Sequence, residues 1–200
     1  MTNTKYWSDY YKNKSLDEIP WNHAGDKIIN FVFKKYNLPK TGDVLDVGTG
    51  TGKKADKLQK MGFEVYAFDV TEKAFLDTKK ENLNINFFVT VATELYKADT
   101  IKGIKFDIVF DLLVTQFLDK KEKQKYLSQL NSYLKNNTYY ILQTFFKGKG
   151  NEDSELNWVN NAAQSREEID EIYGNYFKIL DLTTIKGKKG TNALVVMKNK

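Results

Sequence analysis

Three glycines at alternate positions, Gly48, Gly50 and Gly52, constrain the fold of this chain more than any other feature. They directly follow a short apolar run, residues 43–47, that is typical of a buried strand, and they precede a helical pattern at residues 53–60. Glycines at this spacing let bare backbone approach a ligand, with amide groups exposed at a helix N-terminus. The sequence therefore predicts a ligand-binding loop between a strand and a helix.

The spacing of this loop differs from that of two common nucleotide-binding loops. In the dinucleotide pattern Gly-x-Gly-x-x-Gly, the third glycine would fall where this chain has Lys53. A Walker-type phosphate loop ends in Gly-Lys followed by Ser or Thr, and this chain has Lys54 at that place. Neither a dinucleotide site nor a Walker-type site is therefore predicted.

Strand-like and helix-like segments alternate along the chain, which predicts a parallel sheet with helices on both faces. The last two strand-like runs have no helix between them and predict an antiparallel hairpin. We therefore expect an α/β, Rossmann-like fold with a seven-stranded, mostly parallel sheet, and residues 93–98 as a short helix or a loop. The predicted helices are residues 26–36, 53–60, 72–81 and 120–134, and the predicted strands are residues 43–47, 64–68, 86–90, 106–112, 139–144, 177–185 and 193–197.

Composition excludes several classes of site. The chain has no cysteine, which removes disulfides, thiolate metal sites and a cysteine nucleophile, and its single histidine, His23, argues against a zinc site. The net charge of +5 makes a nucleic-acid partner possible. It does not favour one, because the lysines are scattered and pairs such as Lys120 and Lys121 have acids nearby, as on a solvated helix face.

Length and hydropathy fit a single domain over residues 1–200, since 41% hydrophobic and 14% aromatic residues can fill one core. No apolar run approaches the roughly 18 residues that a membrane span needs. The first residues also lack the apolar core of a signal peptide. We therefore expect a cytoplasmic protein with no membrane partner.

The run from Asp46 to Gly52, Asp-Val-Gly-Thr-Gly-Thr-Gly, resembles motif I of class I S-adenosylmethionine-dependent methyltransferases, and the resemblance spans most of the chain. It implies S-adenosyl-L-methionine as cofactor, S-adenosyl-L-homocysteine as product, and no metal. It also implies that the loop backbone at Gly48, Thr49, Gly50 and Gly52 holds the methionine part of the cofactor. Asp46 would organise the loop near the cofactor's amino group.

Two further segments resemble the family's ribose and adenine sites. Asp69 comes about 20 residues after the first glycine, where a carboxylate accepts hydrogen bonds from both ribose hydroxyls, and Val70 follows it in the predicted site. Many members carry an acid after the third strand that binds the adenine amino group, but this chain has Val91 there. The Ala92 backbone and the Thr93 hydroxyl are the remaining candidates for that contact.

Residues 106–119 resemble the family's fourth strand and the loop that forms the floor below the transferred methyl group. Asp111 is expected to contact the methionine end through its backbone, while Asp107 caps or solvates the start of the strand. Relatives often have histidines facing the cofactor or substrate at the places of Thr115 and Gln116. Here neutral hydrogen-bonding groups replace them.

The aromatic N-terminus predicts a lid at residues 1–25, in which Trp7 and Trp21 attract the cationic sulfonium and exclude water. The alternative is that these aromatic side chains only pack the first helix on the sheet. Residues 26–200 would form the catalytic core, with residues 147–164 as an insertion on the substrate side. Tyr11, His23 and Gln116, with Asp9, are the candidates for orienting or deprotonating a methyl acceptor.

The opening from Trp7 to Trp21 loosely resembles the thiopurine, halide/thiol and tellurite-resistance branch of the superfamily, which methylates small nucleophiles. The predicted function is methyl transfer to a small-molecule acceptor by a monomer or homodimer. One alternative is an RNA or protein methyltransferase, although residues 111–114 lack the Asn-Pro-Pro-Tyr-like signature of base-amino methylation. Another is a cofactor-binding inactive paralogue.

Overall fold

Seven strands form one sheet in the computed structural model, which describes residues 4–15, 18–19, 24–73, 75, 84–147, 162–187 and 190–200. In chain order the strands are β1 Asp43–Val47, β2 Glu64–Asp69, β3 Asn86–Val89, β4 Phe106–Leu112, β5 Leu134–Phe145, β6 Phe177–Gly187 and β7 Gly190–Asn199. Their spatial order is β3-β2-β1-β4-β5-β7-β6. The first five strands pair in parallel, and β7 lies antiparallel between β5 and β6. The predicted fold class, with its C-terminal hairpin, is confirmed.

The helices of the described residues are α1 Thr4–Lys12, α2 Ala24–Lys35, α3 Lys53–Lys60, α4 Lys120–Asn131 and α5 Arg166–Tyr173, with 3₁₀ turns at Ala92–Lys97, Asp99–Ile101 and Thr115–Phe117. Both α4 and α5 begin with a capping box. The side chains of Asp119 and Ser165 accept from the backbone N–H groups of Glu122 and Glu168, and each glutamate carboxylate accepts from the backbone N–H of the capping residue. Within these ranges no helix is long and apolar enough to cross a membrane.

The helices cover the sheet on both faces because strand side chains alternate in direction. On one face, Ile29 and Val32 of α2 and Leu58 of α3 pack in the same cluster as Val44 of β1. On the other face, α4 and α5 pack against a cluster that includes Leu45 of β1. The result is a three-layer α/β/α domain in which neighbouring residues of β1 belong to opposite cores.

The structure corrects two predicted boundaries. The helix predicted at residues 120–134 ends at Asn131, and β5 begins at Leu134 instead of residue 139. Leu134 pairs with Phe106, and the register then shifts before Tyr139. Thr138 stabilises this irregular segment by donating its hydroxyl to the carbonyl of Phe106 at 2.6 Å. Because residues 135–138 are polar, the sequence pattern did not predict that the strand begins before them.

Other predictions have mixed outcomes. Residues 93–98 are largely a 3₁₀ turn, and β6 and β7 are longer than the predicted strands. The N-terminal stretch contains α1, which the sequence pattern did not indicate. The helix predicted at residues 72–81 and the insertion predicted at residues 147–164 lie largely outside the described residues.

Candidate cofactor-binding site

The glycine loop leaves the carboxyl end of β1 in a conformation that glycine favours. Gly48, Gly50 and Gly52 have φ angles of 57°, 56° and 78°, which lie in the left-handed region. A Cβ atom on Gly48 would lie 2.6 Å from a methyl carbon of Val114, so the loop also has no room for a side chain there. The N–H of Thr49 donates to the carbonyl of Phe68 at 2.8 Å and fixes the loop to β2.

Asp69 ends β2 directly beside this loop. Its Oδ2 accepts a hydrogen bond from the N–H of Gly50 at 2.9 Å, and its Oδ1 accepts one from the N–H of Thr71 at 3.4 Å. Burial raises the pKa of Asp69 to about 6, against the opposing effect of these backbone donors. Because each carboxylate oxygen has two lone pairs, Asp69 can hold the loop and still accept from ligand hydroxyls.

Two other buried polar groups at the loop have no hydrogen-bond partner among the described residues. Asp46 is fully buried, and neither of its carboxylate oxygens accepts a hydrogen bond. The Thr49 hydroxyl is likewise buried and without a hydrogen-bond partner among the described residues. Unsatisfied buried polar atoms are costly and uncommon in folded proteins. A ligand that supplies an ammonium group and hydroxyl groups would satisfy them, as S-adenosylmethionine does.

An open cavity of about 500 Å³ adjoins this edge of the sheet, and Val70 and Val91 line it together with Thr4 of α1. Ala92 is buried at the start of the 3₁₀ turn Ala92–Lys97, and the carbonyl of Thr93 accepts from the side-chain amide of Gln129 at 2.8 Å. The contacts predicted for Ala92 and Thr93 with adenine stay predictions.

Sequence reasoning missed Glu94, which also lines this cavity. Its carboxylate pairs with Lys97 at 2.9 Å in a half-exposed setting. The signal was present in the sequence, because Glu94 is the first acid after Val91, where the family's acid is missing. The cavity therefore contains a carboxylate in its lining, that of Glu94.

At the end of β4, Asp111 is fully buried and accepts three hydrogen bonds from protein donors. Its Oδ1 accepts from the backbone N–H of Thr115 at 3.1 Å, and its Oδ2 accepts from the hydroxyls of Thr115 and Tyr140. The Thr115 hydroxyl also lies 3.1 Å from that of Tyr173. Burial raises the pKa of Asp111, and these hydrogen bonds oppose the rise. The side chain fixes the loop after β4, and the predicted cofactor contact through the Asp111 backbone stays a prediction.

Thr115 and Gln116 are hydrogen-bonded within the protein, and the expectation that they face the cofactor or substrate stays a prediction. Thr115 is fully buried against Asp111, and Gln116 is only 4% exposed. The Gln116 amide accepts from the N–H of Phe145 at 3.0 Å and donates to the carbonyl of Leu113 at 3.3 Å. The 3₁₀ turn rotates both side chains into the interior, which spacing after a strand does not reveal. These two bonds fix the amide and leave one N–H and one oxygen lone pair of Gln116, so its catalytic role stays a prediction.

Helix α1 lies across the carboxyl edge of the sheet. Its first residue, Thr4, lines the cavity beside Val70 and Val91. Its Trp7 packs edge-to-face on Phe117 of the turn after β4, with ring centroids 5.5 Å apart. The helix thus reaches both the cavity beside β2 and β3 and the turn after β4, where the sequence predicts a lid.

Of the other predicted lid and acceptor residues, Tyr11 packs beside Trp7 with ring centroids 6.4 Å apart. Asp9 is at the surface, where a hydrogen bond from Lys5 lowers its pKa. His23 and Trp21 lie outside the described residues. Among the residues that are described, no three His, Asp or Glu side chains cluster to hold one metal ion.

Comparisons with known proteins agree with this geometry. Residues 44–137 match a sequence family described as a methyltransferase domain. A putative methyltransferase from Geobacillus sp. (strain WCH70) is 28% identical over 130 residues, which are 63% of this chain and 51% of that protein. The chain spans about half the length of the curated relatives that it matches.

Solved structures share the fold over most of the chain. The N-methyltransferase NodS from Bradyrhizobium japonicum WM9, in complex with S-adenosyl-L-homocysteine, superposes with a TM-score of 0.74 at 13% identity and covers 98% of each chain. Magnesium protoporphyrin IX methyltransferase from Synechocystis PCC 6803, also with bound S-adenosylhomocysteine, gives 0.67 at 21% identity over 88% and 82% of the two chains.

The strand order, the glycine loop and the two acids beside it agree with the methyltransferase-domain match over residues 44–137. The two solved structures with the same fold hold S-adenosylhomocysteine, the product of the cofactor S-adenosyl-L-methionine. Asp46, Asp69 and the loop backbone are the residues of this chain that fit that cofactor.

Proposed function

We propose that this domain transfers the methyl group of S-adenosylmethionine to a small-molecule acceptor. The position of α1 carries the proposal, because this aromatic helix reaches from the cavity beside Val91 to the ring of Phe117 at the carboxyl edge of the sheet. Ligands of open parallel sheets bind at that edge. A helix lying across it narrows the approach to the site, which suits a small acceptor better than an extended chain.

Bound S-adenosylmethionine supplies an electrophilic methyl group on a sulfonium centre. Methyl transfer forms a bond from an acceptor lone pair to the methyl carbon, and the electrons of the carbon–sulfur bond pass to sulfur. Such a displacement gains mainly from positioning and from the exclusion of water. The rings of Trp7 and Tyr11 would supply cation-attracting faces, and the buried network at Asp111 would keep the loop after β4 rigid.

A base is needed only if the acceptor loses a proton. Tyr11 and His23 remain candidates for that role, while Gln116 is bonded at both ends of its amide. The name of one similar structure is consistent with a small acceptor, since it is a magnesium protoporphyrin IX methyltransferase.

A macromolecular acceptor is the second candidate, and it rests on the net charge of +5. Several lysines are, however, paired with acids at the surface: Lys60 with Asp56, Lys97 with Glu94, Lys120 with Glu171, and Lys147 with Glu168. These ion pairs neutralise part of the positive charge that a nucleic-acid surface would need. The cytoplasmic location and the monomer or homodimer state stay predictions.

The test is a product assay that detects S-adenosylhomocysteine, run with thiols, amines, phenols, tRNA and a lysine-rich peptide. We expect turnover with at least one class of small nucleophile and none with the macromolecules. Turnover with tRNA or peptide alone would refute the small-molecule assignment. Tight binding of S-adenosylmethionine without any turnover would instead favour the inactive paralogue.

A further inference from the structure

Lys54 places a positive charge near three buried carboxylates, those of Asp46, Asp69 and Asp111. Its ammonium lies 3.3 Å from Oδ1 of Asp46, and its side chain is only 15% exposed. Burial raises the pKa of Asp69 and of Asp111, and the charge of Lys54 opposes that rise in both. Lys54 is therefore within electrostatic reach of the carboxyl ends of β1, β2 and β4.

The hydrocarbon stem of Lys54 is held between two helices. On α2, a Cβ atom at Gly25 would lie 2.4 Å from Cγ of Lys54 and 2.7 Å from its Cδ. Only glycine leaves room for these methylenes at that point. The packing of α2 on α3 thus fixes the stem, while the terminal ammonium lies beyond the contact, at Asp46.

The ion pair between Lys54 and Asp46 is incomplete. The contact does not have hydrogen-bond geometry, and within the described residues both oxygens of Asp46 lack a donor. A buried carboxylate with one imperfect partner carries a large desolvation cost. A second cation with well-directed N–H groups would satisfy Asp46, and Lys54 would then need an anion.

We propose that Lys54 binds the α-carboxylate of the cofactor's methionine moiety, while the cofactor's α-ammonium takes the place of Lys54 at Asp46. The zwitterionic end of the cofactor then lies between the two side chains. Each cation has an anion as its neighbour, so the net charge of the pair is unchanged. This inference rests on S-adenosylmethionine being the cofactor and is independent of the methyl acceptor.

The test compares S-adenosylmethionine with its decarboxylated analogue, which keeps the ammonium and loses the carboxylate. Calorimetry gives the ratio of the two dissociation constants for wild type, Lys54→Met, Lys54→Arg and the control Lys53→Met. The control makes the same chemical change one residue earlier on α3. We expect the preference for the carboxylate-bearing cofactor to fall about tenfold in Lys54→Met, the effect of losing one charge-assisted hydrogen bond.

Lys54→Arg should keep most of the preference, and Lys53→Met should keep the wild-type ratio. Equal weakening of both ligands in Lys54→Met would overturn the inference, because Lys54 would then act only by placing Asp46. An unchanged ratio in Lys54→Met would overturn it as well. If thermal unfolding shows that Lys54→Met does not fold, Lys54→Gln is judged by the same ratio. Wild type that binds neither ligand would refute the cofactor assignment itself.

Discussion

Two buried carboxylates at the same edge of the sheet, Asp46 in β1 and Asp111 in β4, have opposite surroundings. Asp111 accepts hydrogen bonds from Thr115 and Tyr140, and no further donor is needed. Asp46 has no hydrogen-bond donor in the described part of the chain. The acid with three protein donors stabilises the framework, and the unsatisfied one is our candidate for the ligand site. An acid at the end of a strand is thus not by itself a binding residue, and its partners decide its role.

The largest expected effect is the difference in free energy of unfolding between alanine variants of these two acids. Asp111→Ala leaves the buried hydroxyl of Tyr140 and the backbone N–H of Thr115 without an acceptor and should cost about 4 kcal/mol in the free energy of unfolding. Asp46→Ala breaks no hydrogen bond but removes the imperfect ion pair with Lys54, so it should cost only about 1 to 2 kcal/mol, yet weaken S-adenosylmethionine binding roughly 30-fold. Urea unfolding and calorimetry measure both quantities. Equal destabilisation by the two substitutions would contradict the comparison.

The glycine loop gives the second effect. Gly48→Ala should destabilise the domain by about 3 kcal/mol, because it combines a left-handed backbone with a clash against Val114. Gly62→Ala is the matched control, since Gly62 has a φ of 97° but a Cβ atom added there would have no neighbour within 4 Å. Chemical denaturation should show a loss of only about 1 to 2 kcal/mol for this control. If the two variants lose the same stability, the contact with Val114 is unimportant.

Asp69 lies between the two extremes, because it both holds the loop and has lone pairs left for a ligand. Asp69→Ala should weaken cofactor binding by about 2 kcal/mol, if the carboxylate accepts from both ribose hydroxyls. Calorimetry with S-adenosylhomocysteine measures this loss. An unchanged affinity would remove Asp69 from the ligand site.

The pH dependence of cofactor binding is a second test of the role of Asp69. With its pKa raised to about 6, Asp69 is protonated in the acidic range and loses acceptor capacity. Cofactor affinity should therefore fall about tenfold per pH unit below that pKa, and Asp69→Asn should remove this dependence. The linkage to stability has the opposite sign. Protonation favours the folded apo domain, so the contribution of Asp69 to stability falls as pH rises from about 4 to about 6.

The smallest expected effect is at the lid. Trp7→Ala removes an aromatic face beside Phe117 and should weaken S-adenosylmethionine binding about threefold. Binding of S-adenosylhomocysteine should change less, because it lacks the sulfonium charge. Competition binding with the two ligands measures the ratio. A larger loss for the uncharged product would show that Trp7 acts by packing alone.

The sequence allowed the prediction of those features that depend on local pattern. The glycine loop, Asp69 and the order of strands and helices follow from spacing and hydropathy along short segments. The network around Asp111 could not be predicted, because Tyr140 and Tyr173 come from β5 and α5, far along the chain. Local pattern also did not indicate that a 3₁₀ turn rotates Gln116 inward, or that residues 135–138 belong to a strand.

The position of β7 has a consequence for how the domain is made. Residues 190–199 supply an inner strand, flanked by β5 on one side and β6 on the other. During synthesis β6 emerges before β7, so its sheet partner is not yet available when it leaves the ribosome. The sheet cannot close until residues 190–199 have been translated. If the ribosome stalls before that point, one edge of β5 has no strand partner, and chaperones or other nascent chains can bind there.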